Sequence, residues 1–468
     1  GSRGREGRGA EAVAVSTTSP VRYPDVNDPR TMNKRAWVLV VLNLLIPGSA
    51  QLLAGNRRLG RFGVGSTFLL WANILIALLL FNLAQSAFIT IVTNWFALWV
   101  LQAAIVFYVV LWGVLTFDTL RLVRLVRVPA RGFVAGLAVV ALVVLGGAGA
   151  YGLMVAGVTR STVDQVFGGG EIEEPVDGRY NILLLGGDAG PDRDGLRPDS
   201  ISVVSIEAST GVATIVGIPR NLESVPFAAD SPMAALYPNG YGVDGCDVDV
   251  CYINSIYTEA ELYEGQLYPD AAARGSSPGI EAMRDAVEGV LGIRLQYYVL
   301  IDMQGFVQLI DALGGITIDS PGRYPIGGGV DDAGNPVDVE GWIEPGVQQM
   351  DGTTALWYAR SRHGTNDYDR MQRQRQVQEA ILQQFDPANV LTKFQAVAEA
   401  GAQVVRTDVP QSMLGHFVGL AGKAREQSIG SLELVPPLID PAYPEFDYIH
   451  QLVQEALVLS TPAPEEGG

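Results

Sequence analysis

Residues 355–376 read ALWYARSRHGTNDYDRMQRQRQ and hold five arginines within sixteen positions. A helix is predicted to begin near Asp367. Its inward face, at helical spacing, would carry Arg370, Arg373, Gln374, Val377 and Ile381. Arg375 falls off that face. Upstream, an extended Arg360-Ser361-Arg362 would point both guanidinium groups to one side, because side chains alternate along a strand.

Inward-facing arginines at the start of a helix meet a macrodipole that disfavours cations. A phosphate or pyrophosphate would offset this conflict, because guanidinium forks and helix N–H groups both bind such anions. The stretch therefore predicts an anion site. A solvated charge run, or an internal salt-bridge net with nearby carboxylates, is the alternative.

Charge divides the chain of 468 residues sharply, and this length allows two or three domains. Residues 1–157 hold 14 Lys and Arg against 5 Asp and Glu, whereas the remainder holds 18 against 45. A body this acidic argues against nucleic acid as a partner, because phosphate backbones require a basic surface.

The N-terminal third indicates a membrane region over residues 32–159. No charged residue occurs between Phe62 and Phe117, a run of 56 positions that predicts two spans, near 62–84 and 96–117. A third span is predicted near 132–157. Residues 36–56 are also uncharged, but Pro47-Gly48-Ser49 interrupts them and basic residues flank both ends, which favours a re-entrant or interfacial segment.

Basic clusters predict the orientation of these spans. Three crossings would leave residues 1–31 as a disordered cytoplasmic tail and deliver the acidic body outside the cell. Four full crossings, the alternative, would place tail and body on the same side. Residues 160–179 are predicted to be a linker, and residues 460–468 a disordered tail.

The acidic body has the pattern of an α/β domain. Strands are predicted at 180–185, 199–206, 212–218, 297–301 and 316–318, and the second and third form a hairpin. Helices are predicted at 252–263, 280–291 and 305–313, with further helices at 388–405, 411–425 and 445–459. Strands that alternate with helices predict a mixed sheet with helices on both faces.

Polar groups follow the predicted strand ends. Asp188 comes after a buried strand and a glycine pair, and Asp199 opens the next strand beside Arg197. If these strands are neighbours, the two carboxylates converge, and paired carboxylates commonly hold Mg²⁺. Ordinary turn chemistry is the alternative. Arg220 ends the third strand.

Cys246 and Cys251 are the only cysteines. Outside the cell they would form a disulfide across a short loop, and two free thiols are the alternative. No zinc set or Ser-His-Asp set is visible, so a covalent protein nucleophile is not expected.

The order of motifs resembles the LytR-CpsA-Psr (LCP) family of cell-envelope proteins over roughly residues 180–385. GGD, RPD, IPR and INSIY are followed by LIDALGGITID at 309–319 and YARSR at 358–362, and then by the residues from Asp367 to Gln374. This chain departs from the family pattern at Asn221, where an acid is usual.

The resemblance implies an α/β/α sandwich, here an extracytoplasmic catalytic domain over 180–386, followed by a helical extension over 387–459. It implies a phosphotransferase that moves a glycopolymer from a polyprenyl-pyrophosphate carrier to a peptidoglycan sugar hydroxyl at the bilayer surface. The implied metal ligands for Mg²⁺ or Mn²⁺ are Asp188 and Asp199. The implied catalytic residues are these two aspartates with Arg197 and Arg220, and the implied pyrophosphate-binding residues are Arg197, Arg220, Arg360, Arg362, Arg370 and Gln374. A non-catalytic lipid receptor and a lipid pyrophosphatase are the rival hypotheses.

Overall fold

The computed structural model describes residues 21–167, 170–188, 196–331, 335–361, 366–384 and 405–459, with the backbone alone at 161–166, Asp188 and Val330. The chain divides into two compact units. The first comprises Gly1–Leu79 and Trp99–Met154, and the second comprises Leu80–Leu98 and Val155–Gly468.

Six helices make up the N-terminal part of the chain. They are α1 (Pro29–Leu45), α2 (Ser49–Ala54), α3 (Arg57–Leu83), α4 (Gln85–Thr93), α5 (Trp95–Val123) and α6 (Arg131–Phe167). Helix α1 begins after Asp28, whose carboxylate accepts hydrogen bonds from the N–H groups of Arg30 and Thr31. The predicted tail over residues 1–31 is therefore wrong at its last positions, and residues 1–20 lie outside the described part of the chain.

Within the described residues, three helices are long and apolar enough to cross a membrane: α3, α5 and the Arg131–Arg160 part of α6. They match the three predicted spans. Helix α6 continues to Phe167, so residues 160–167 of the predicted linker over 160–179 are helical instead. The break predicted at Pro47-Gly48-Ser49 separates α1 from α2.

Polar side chains join the short hairpin of α1 and α2 to α5. Nε2 of the fully buried Gln51 donates to the backbone O of Leu115 at 2.8 Å and to Oγ1 of Thr119 at 3.0 Å. Nδ2 of Asn43 donates to Oγ1 of Thr116 at 3.2 Å. Such bonds between helices are typical of membrane proteins, where few other polar partners exist.

A six-stranded mixed sheet forms the centre of the second unit. Its strands are β1 (Arg179–Asp188), β2 (Arg197–Glu207), β3 (Ala213–Ile218), β4 (Tyr297–Asp302), β11 (Val405–Thr407) and β12 (Gly430–Glu433), in the order β11-β4-β1-β2-β3-β12. The pairs β1–β4 and β3–β12 are parallel, and the others are antiparallel. The predicted hairpin of β2 and β3 is confirmed.

Helices cover both faces of this sheet. Alternate residues of β1 point to opposite sides: Leu183 and Leu185 pack with α8 (Ile256–Leu262), α9 (Pro278–Leu291) and α14 (Phe446–Leu459). Ile182 and Leu184 pack on the other face with α13 (Leu414–Ala424) and with Leu382 of α12 (Asp367–Gln384). The architecture is the α/β/α sandwich that was expected.

Both edge strands come from the part of the chain that was predicted to be helical. β11 pairs with β4 and β12 pairs with β3, so residues 405–433 complete the sheet. The interpretation of 387–459 as a helical extension of a domain ending at 386 is therefore wrong. The helix predicted over 388–405 lies outside the described residues except at Val405, which begins β11.

A smaller layer lies beside the sandwich. It contains α10 (Met303–Leu313), α11 (Gly352–Arg360) and the strands β5 (Ile316–Ser320), β6 (Tyr324–Ile326), β7 (Gly329–Val330), β8 (Pro336–Val337), β9 (Gly341–Ile343) and β10 (Gly346–Met350). These strands form three two-stranded sheets, β5–β10, β6–β9 and β7–β8. The strand predicted at 316–318 therefore exists, but it pairs outside the central sheet. A further short α-helix among the described residues is α7 (Pro232–Leu236).

Candidate functional site

The ends of three neighbouring strands, β1, β2 and β4, lie side by side along one edge of the central sheet. β1 and β4 run parallel and end at Asp188 and Asp302, whereas β2 runs the opposite way and starts at Arg197. Asp188 lies opposite Arg197, and the register shifts after Gly186 so that Asp199 is the extra residue of a β-bulge. The expectation that the first two strands are neighbours is confirmed. The carboxylate of Asp188 lies outside the described atoms.

Four side chains at this edge form an ion cluster. Nη1 of Arg220 donates to Oδ1 of Asp199 at 2.5 Å, and its Nε donates to Oδ2 of Asp367 at 3.2 Å. Nη2 of Arg370 donates to Oδ2 of Asp367 at 3.1 Å and to the backbone O of Asp199 at 3.3 Å. The cluster therefore joins the first turn of α12 to the ends of β2 and β3.

The charges of this cluster support one another. Burial acts to lower the pKa of Arg220, but Asp199 and Asp367 outweigh it, and the pKa is raised. Asp367 also offsets the conflict between the positive end of α12 and Arg370, which is only 2% exposed. The internal salt-bridge net that the sequence left open as an alternative is thus present, at the same place as the predicted anion site.

Arg360 does not occupy an extended segment, so that prediction is wrong. It is the last residue of α11, and its exposed guanidinium lies over the ring of Trp357, 5.1 Å from the centroid. Helix α11 begins after Asp351, whose carboxylate accepts a hydrogen bond from the N–H of Thr354. Arg362 lies outside the described residues.

Arg373 holds the end of α11 against α12. It is 2% exposed, its Nε donates to the backbone O of Tyr358 at 2.9 Å, and its Nη2 donates to the backbone O of Ser361. Its guanidinium also lies 4.4 Å from the centroid of the Tyr324 ring. Arg373 therefore holds the backbone on both sides of Arg360 in place. Its own guanidinium is already bound by groups of the protein.

Helix α12 starts at Asp367 as predicted, and Arg370, Arg373 and Val377 are buried. Gln374 is half-buried, one turn after Arg370. The prediction for Arg375 is wrong: it is 6% exposed, and its Nε donates to Oε1 of Glu433 in β12 at 2.5 Å. Helix α12 thus buries a second face against the sheet.

Asp367 begins one of the motifs quoted above, but it was not among the predicted site residues. It is the residue that bridges Arg220 and Arg370. An aspartate three residues before an arginine on a helix is a pairing signal that could have identified half of this contact. The other half is a long-range contact that spacing alone does not reveal.

The donor set suits Mg²⁺ in its usual mode, in which one or two carboxylates bind it and phosphate oxygens and water complete the shell. Asp199 supplies such a carboxylate. Oδ1 of Asn221, the residue after Arg220, is buried and has no hydrogen-bond partner among the residues described. Within the same residues, no three His, Cys, Asp or Glu side chains are grouped to hold a metal by themselves.

Cys246 and Cys251 form a disulfide, as the sequence suggested for a domain outside the cell. The loop that they close is held by the fully buried Glu259 of α8, which accepts hydrogen bonds from the N–H of Asp247. Thr258, next to Glu259, donates from Oγ1 to the backbone O of Leu196 at 2.9 Å. Helix α8 therefore fixes both this loop and the entry into β2.

The fold and the edge cluster define an α/β/α domain with arginines and aspartates grouped at the ends of its central strands. The model of the LytR_cpsA_psr family matches residues 160–436, and the chain belongs to this family. The match extends beyond residue 386 and includes β11 and β12, in agreement with the sheet.

Several named proteins are similar to this chain. Cell wall biosynthesis protein LcpA of Corynebacterium glutamicum is 27% identical over 329 residues, which are 62% of this chain and 58% of that protein. TagU of Halalkalibacterium halodurans, named as a polyisoprenyl-teichoic acid–peptidoglycan teichoic acid transferase, is 27% identical over 234 residues, 49% of this chain and 61% of that protein. The chain spans 50% of the length of biofilm regulatory protein A of Streptococcus mutans, at 25% identity over 236 residues. The matches thus span between half and two thirds of each relative.

Among solved structures, that of TagV of Bacillus subtilis aligns with 61% of this chain and 99% of that chain, with a TM-score of 0.40 and 21% identity.

Proposed function

We propose that this chain is a membrane-anchored phosphotransferase that attaches a cell-wall glycopolymer to peptidoglycan. The donor would be a polyprenyl-pyrophosphate-linked polymer, and the product a phosphodiester to a sugar hydroxyl. The observation that carries the proposal is the ion cluster of Asp199, Arg220, Asp367 and Arg370 at the strand ends. The name of the relative TagU, a transferase of teichoic acid to peptidoglycan, supports the same class of reaction.

The diphosphate would bind by sharing the guanidinium groups of this cluster with the two aspartates. A guanidinium has five N–H donors, so Arg220 can donate to a phosphate while it still contacts Asp199. Arg197 of β2 and Gln374 of α12 are half-buried and would be further donors to the diphosphate. Arg360 and Arg362 would complete the binding of the diphosphate.

In the transfer, the oxygen of the acceptor hydroxyl forms a bond to the phosphorus that carries the glycopolymer. The bond from that phosphorus to the bridging oxygen breaks, and polyprenyl phosphate leaves with the electron pair. Asp188 or Asp199 takes the proton of the hydroxyl. Arg220 and Arg370 offset the charge that grows on the leaving phosphate. A Mg²⁺ ion held by Asp188 and Asp199 would supply further neutralisation of the phosphate charge.

The lipid tail of the carrier would lie along α10. This helix starts after Asp302, which lies opposite Gly187 in the β1–β4 register, and so begins at the site. Its residues Phe306, Val307 and Leu309 are only half-buried, which leaves apolar surface available to a prenyl chain.

We also propose that the body lies outside the membrane and that the chain crosses three times. Support comes from α4, which connects α3 to α5 and packs against α13 of the body. A side chain at Gly415 of α13 would overlap Thr90 and Ser86 of α4. Away from α4, basic residues cluster at the start of α3, at the end of α5 and at the start of α6: Arg57, Arg58, Arg61, Arg121, Arg124, Arg127 and Arg131. The positive-inside rule assigns those ends to the cytoplasm.

The test is turnover by the full-length protein, with a polyprenyl-pyrophosphate-linked polymer, peptidoglycan fragments and Mg²⁺. Wild type should release polyprenyl phosphate and form the phosphodiester. Asp199→Asn should slow this reaction about 100-fold or more, because removal of one preorganised charged group from such a site typically costs this much. Chelation of Mg²⁺ should suppress it as well.

Asp319→Asn is the matched control, because Asp319 is exposed on β5, outside the central sheet. It should retain wild-type turnover. Polyprenyl phosphate released without a phosphodiester would indicate a pyrophosphatase. Lipid binding without any release of polyprenyl phosphate would indicate a receptor, and either result would refute the transferase.

A further inference from the structure

A second cavity, of about 300 Å³, lies at the end of the sheet opposite the ion cluster. Gln296 and Tyr297, at the start of β4, contribute to its wall, whereas the site described above adjoins Asp302 at the end of β4. A six-residue strand separates the two by roughly 17 Å, at about 3.3 Å per residue. None of the four residues of the ion cluster lines this cavity.

The wall of this cavity is strongly acidic. Eight Asp and Glu side chains line it, against three arginines. On α9, Glu288 is buried and Asp285 is half-buried, and burial raises the pKa of each carboxyl group. A phosphate or another anion would be repelled from such a space.

Two buried donors in the same wall lack acceptors within the described part of the chain. Gln296 is 1% exposed, and its Oε1 accepts a hydrogen bond from the N–H of Asn181 at 2.7 Å, which fixes the orientation of the amide. Its Nε2 has no hydrogen-bond partner among the residues that the structure describes, and the same holds for Nε of Arg284. Buried N–H groups without acceptors are rare in folded proteins and call for a ligand or ordered water.

These donors also argue against a metal cation, which N–H groups would repel. In the described part of the chain, no group of three His, Cys, Asp or Glu side chains is placed to hold one. The wall therefore suits a ligand that donates hydrogen bonds to carboxylates and also accepts hydrogen bonds from N–H groups. Hydroxyl groups do both.

We propose that this cavity binds a neutral, hydroxyl-rich ring, such as one sugar unit of a glycan. Its volume lies at the lower limit of ordinary ligand pockets and therefore suits a single ring rather than a chain. Tyr268 and Tyr297 add aromatic surface to the wall. The proposal does not depend on the transfer reaction, because it rests on a different part of the sheet.

The test is saturation-transfer NMR on the full-length protein in a detergent without a sugar headgroup. The probes are glucose, galactose, arabinose and N-acetylglucosamine at millimolar concentration, with glucose 6-phosphate as the charged counterpart. At least one neutral sugar should bind, and glucose 6-phosphate should not. Gln296→Glu keeps the acceptor for Asn181 but removes the donor, so it should weaken binding at least tenfold.

Gln454→Glu is the matched control, because Gln454 is exposed on α14, and it should bind as wild type does. If Gln296→Glu fails to fold, Glu171→Trp replaces it: Glu171 is an exposed residue of the wall, and an indole there should obstruct entry. The proposal is overturned if no neutral sugar binds to wild type, if glucose 6-phosphate binds equally well, or if neither variant that folds weakens binding.

Discussion

The guanidinium of Arg375 lies between α12 and β12, where it pairs with Glu433 and also donates to Oε1 of Gln378. Room for the pair exists because residue 217 of β3 is glycine: a Cβ atom there would overlap both the carboxylate and the guanidinium. Gln378 in turn donates from Nε2 to Oγ of Ser202 at 3.0 Å. These polar side chains thus connect α12 to two strands, β12 and β2.

Arg375→Ala is expected to destabilise the body by about 2–4 kcal/mol, because it leaves the mostly buried Glu433 without its cation. Thermal unfolding of the full-length protein measures the effect. Arg323→Ala is the control: Arg323 pairs with Glu344 on the surface, where both side chains are more than half exposed, and its loss should cost at most about 1 kcal/mol. Equal losses in the two variants would contradict this account.

Helical spacing correctly predicted that Arg370, Arg373 and Val377 point inward. It failed for Arg375 because a helix that lies between a sheet and a second layer buries two faces, and periodicity predicts only the apolar one. Arg360 was placed in a strand although Asp351, a favoured N-cap residue, precedes its helix. That local signal was available in the sequence.

At the scale of elements, α4 is the least expected feature. Two spans were predicted near 62–84 and 96–117, and the nine residues of α4 between them form a separate helix. Helix α4 packs closely on α13 at Gly415. The sequence could not predict this contact, because it joins segments that lie more than 300 positions apart.

Gly415→Ala is expected to separate α4 from α13, because the added methyl group overlaps Thr90. Hydrogen exchange of residues 85–93 should then become faster. Gly422→Ala is the matched control on the same helix: a Cβ atom there meets nothing within 4 Å, so exchange in α4 should not change. The same exchange rate in both variants would show that the contact does not hold α4.

Other elements were predicted correctly where the sequence pattern involves only neighbouring residues. The three long apolar helices and the hairpin of β2 and β3 follow from composition and from alternation along the chain. β11 and β12 were missed because they are three and four residues long and each pairs with a strand far away in the sequence. Pairing partners, rather than periodicity, make these segments strands.

At the scale of the whole molecule, the proposed three crossings can be tested with single cysteines, since the two natural cysteines are joined to each other. Asn94→Cys, between α4 and α5, should react with a membrane-impermeant maleimide added to intact cells. Arg127→Cys, between α5 and α6, should react only after the cells are opened. Both positions are exposed. The reverse pattern would invert the proposed orientation.

The candidate site was partly predictable at this scale as well. The carboxylates and arginines at strand ends predicted the position of the candidate site, because neighbouring strands end side by side. The bridge from Asp367 to Arg220 spans 147 positions and became visible only in the fold. The second cavity could not be predicted from the sequence. Its wall is formed by residues from the linker, α9, β4 and the segment after β11, which are far apart along the chain.

β11 and β12 are the two outermost strands of the central sheet. They are also the last of the six strands to be synthesised. Until these segments emerge, β3 and β4 expose unpaired backbone groups that invite intermolecular pairing. If the body is exported, it therefore has to cross the membrane almost completely before it can finish folding. A nascent chain that stalls before residue 405 would be expected to aggregate or to need a chaperone on the far side.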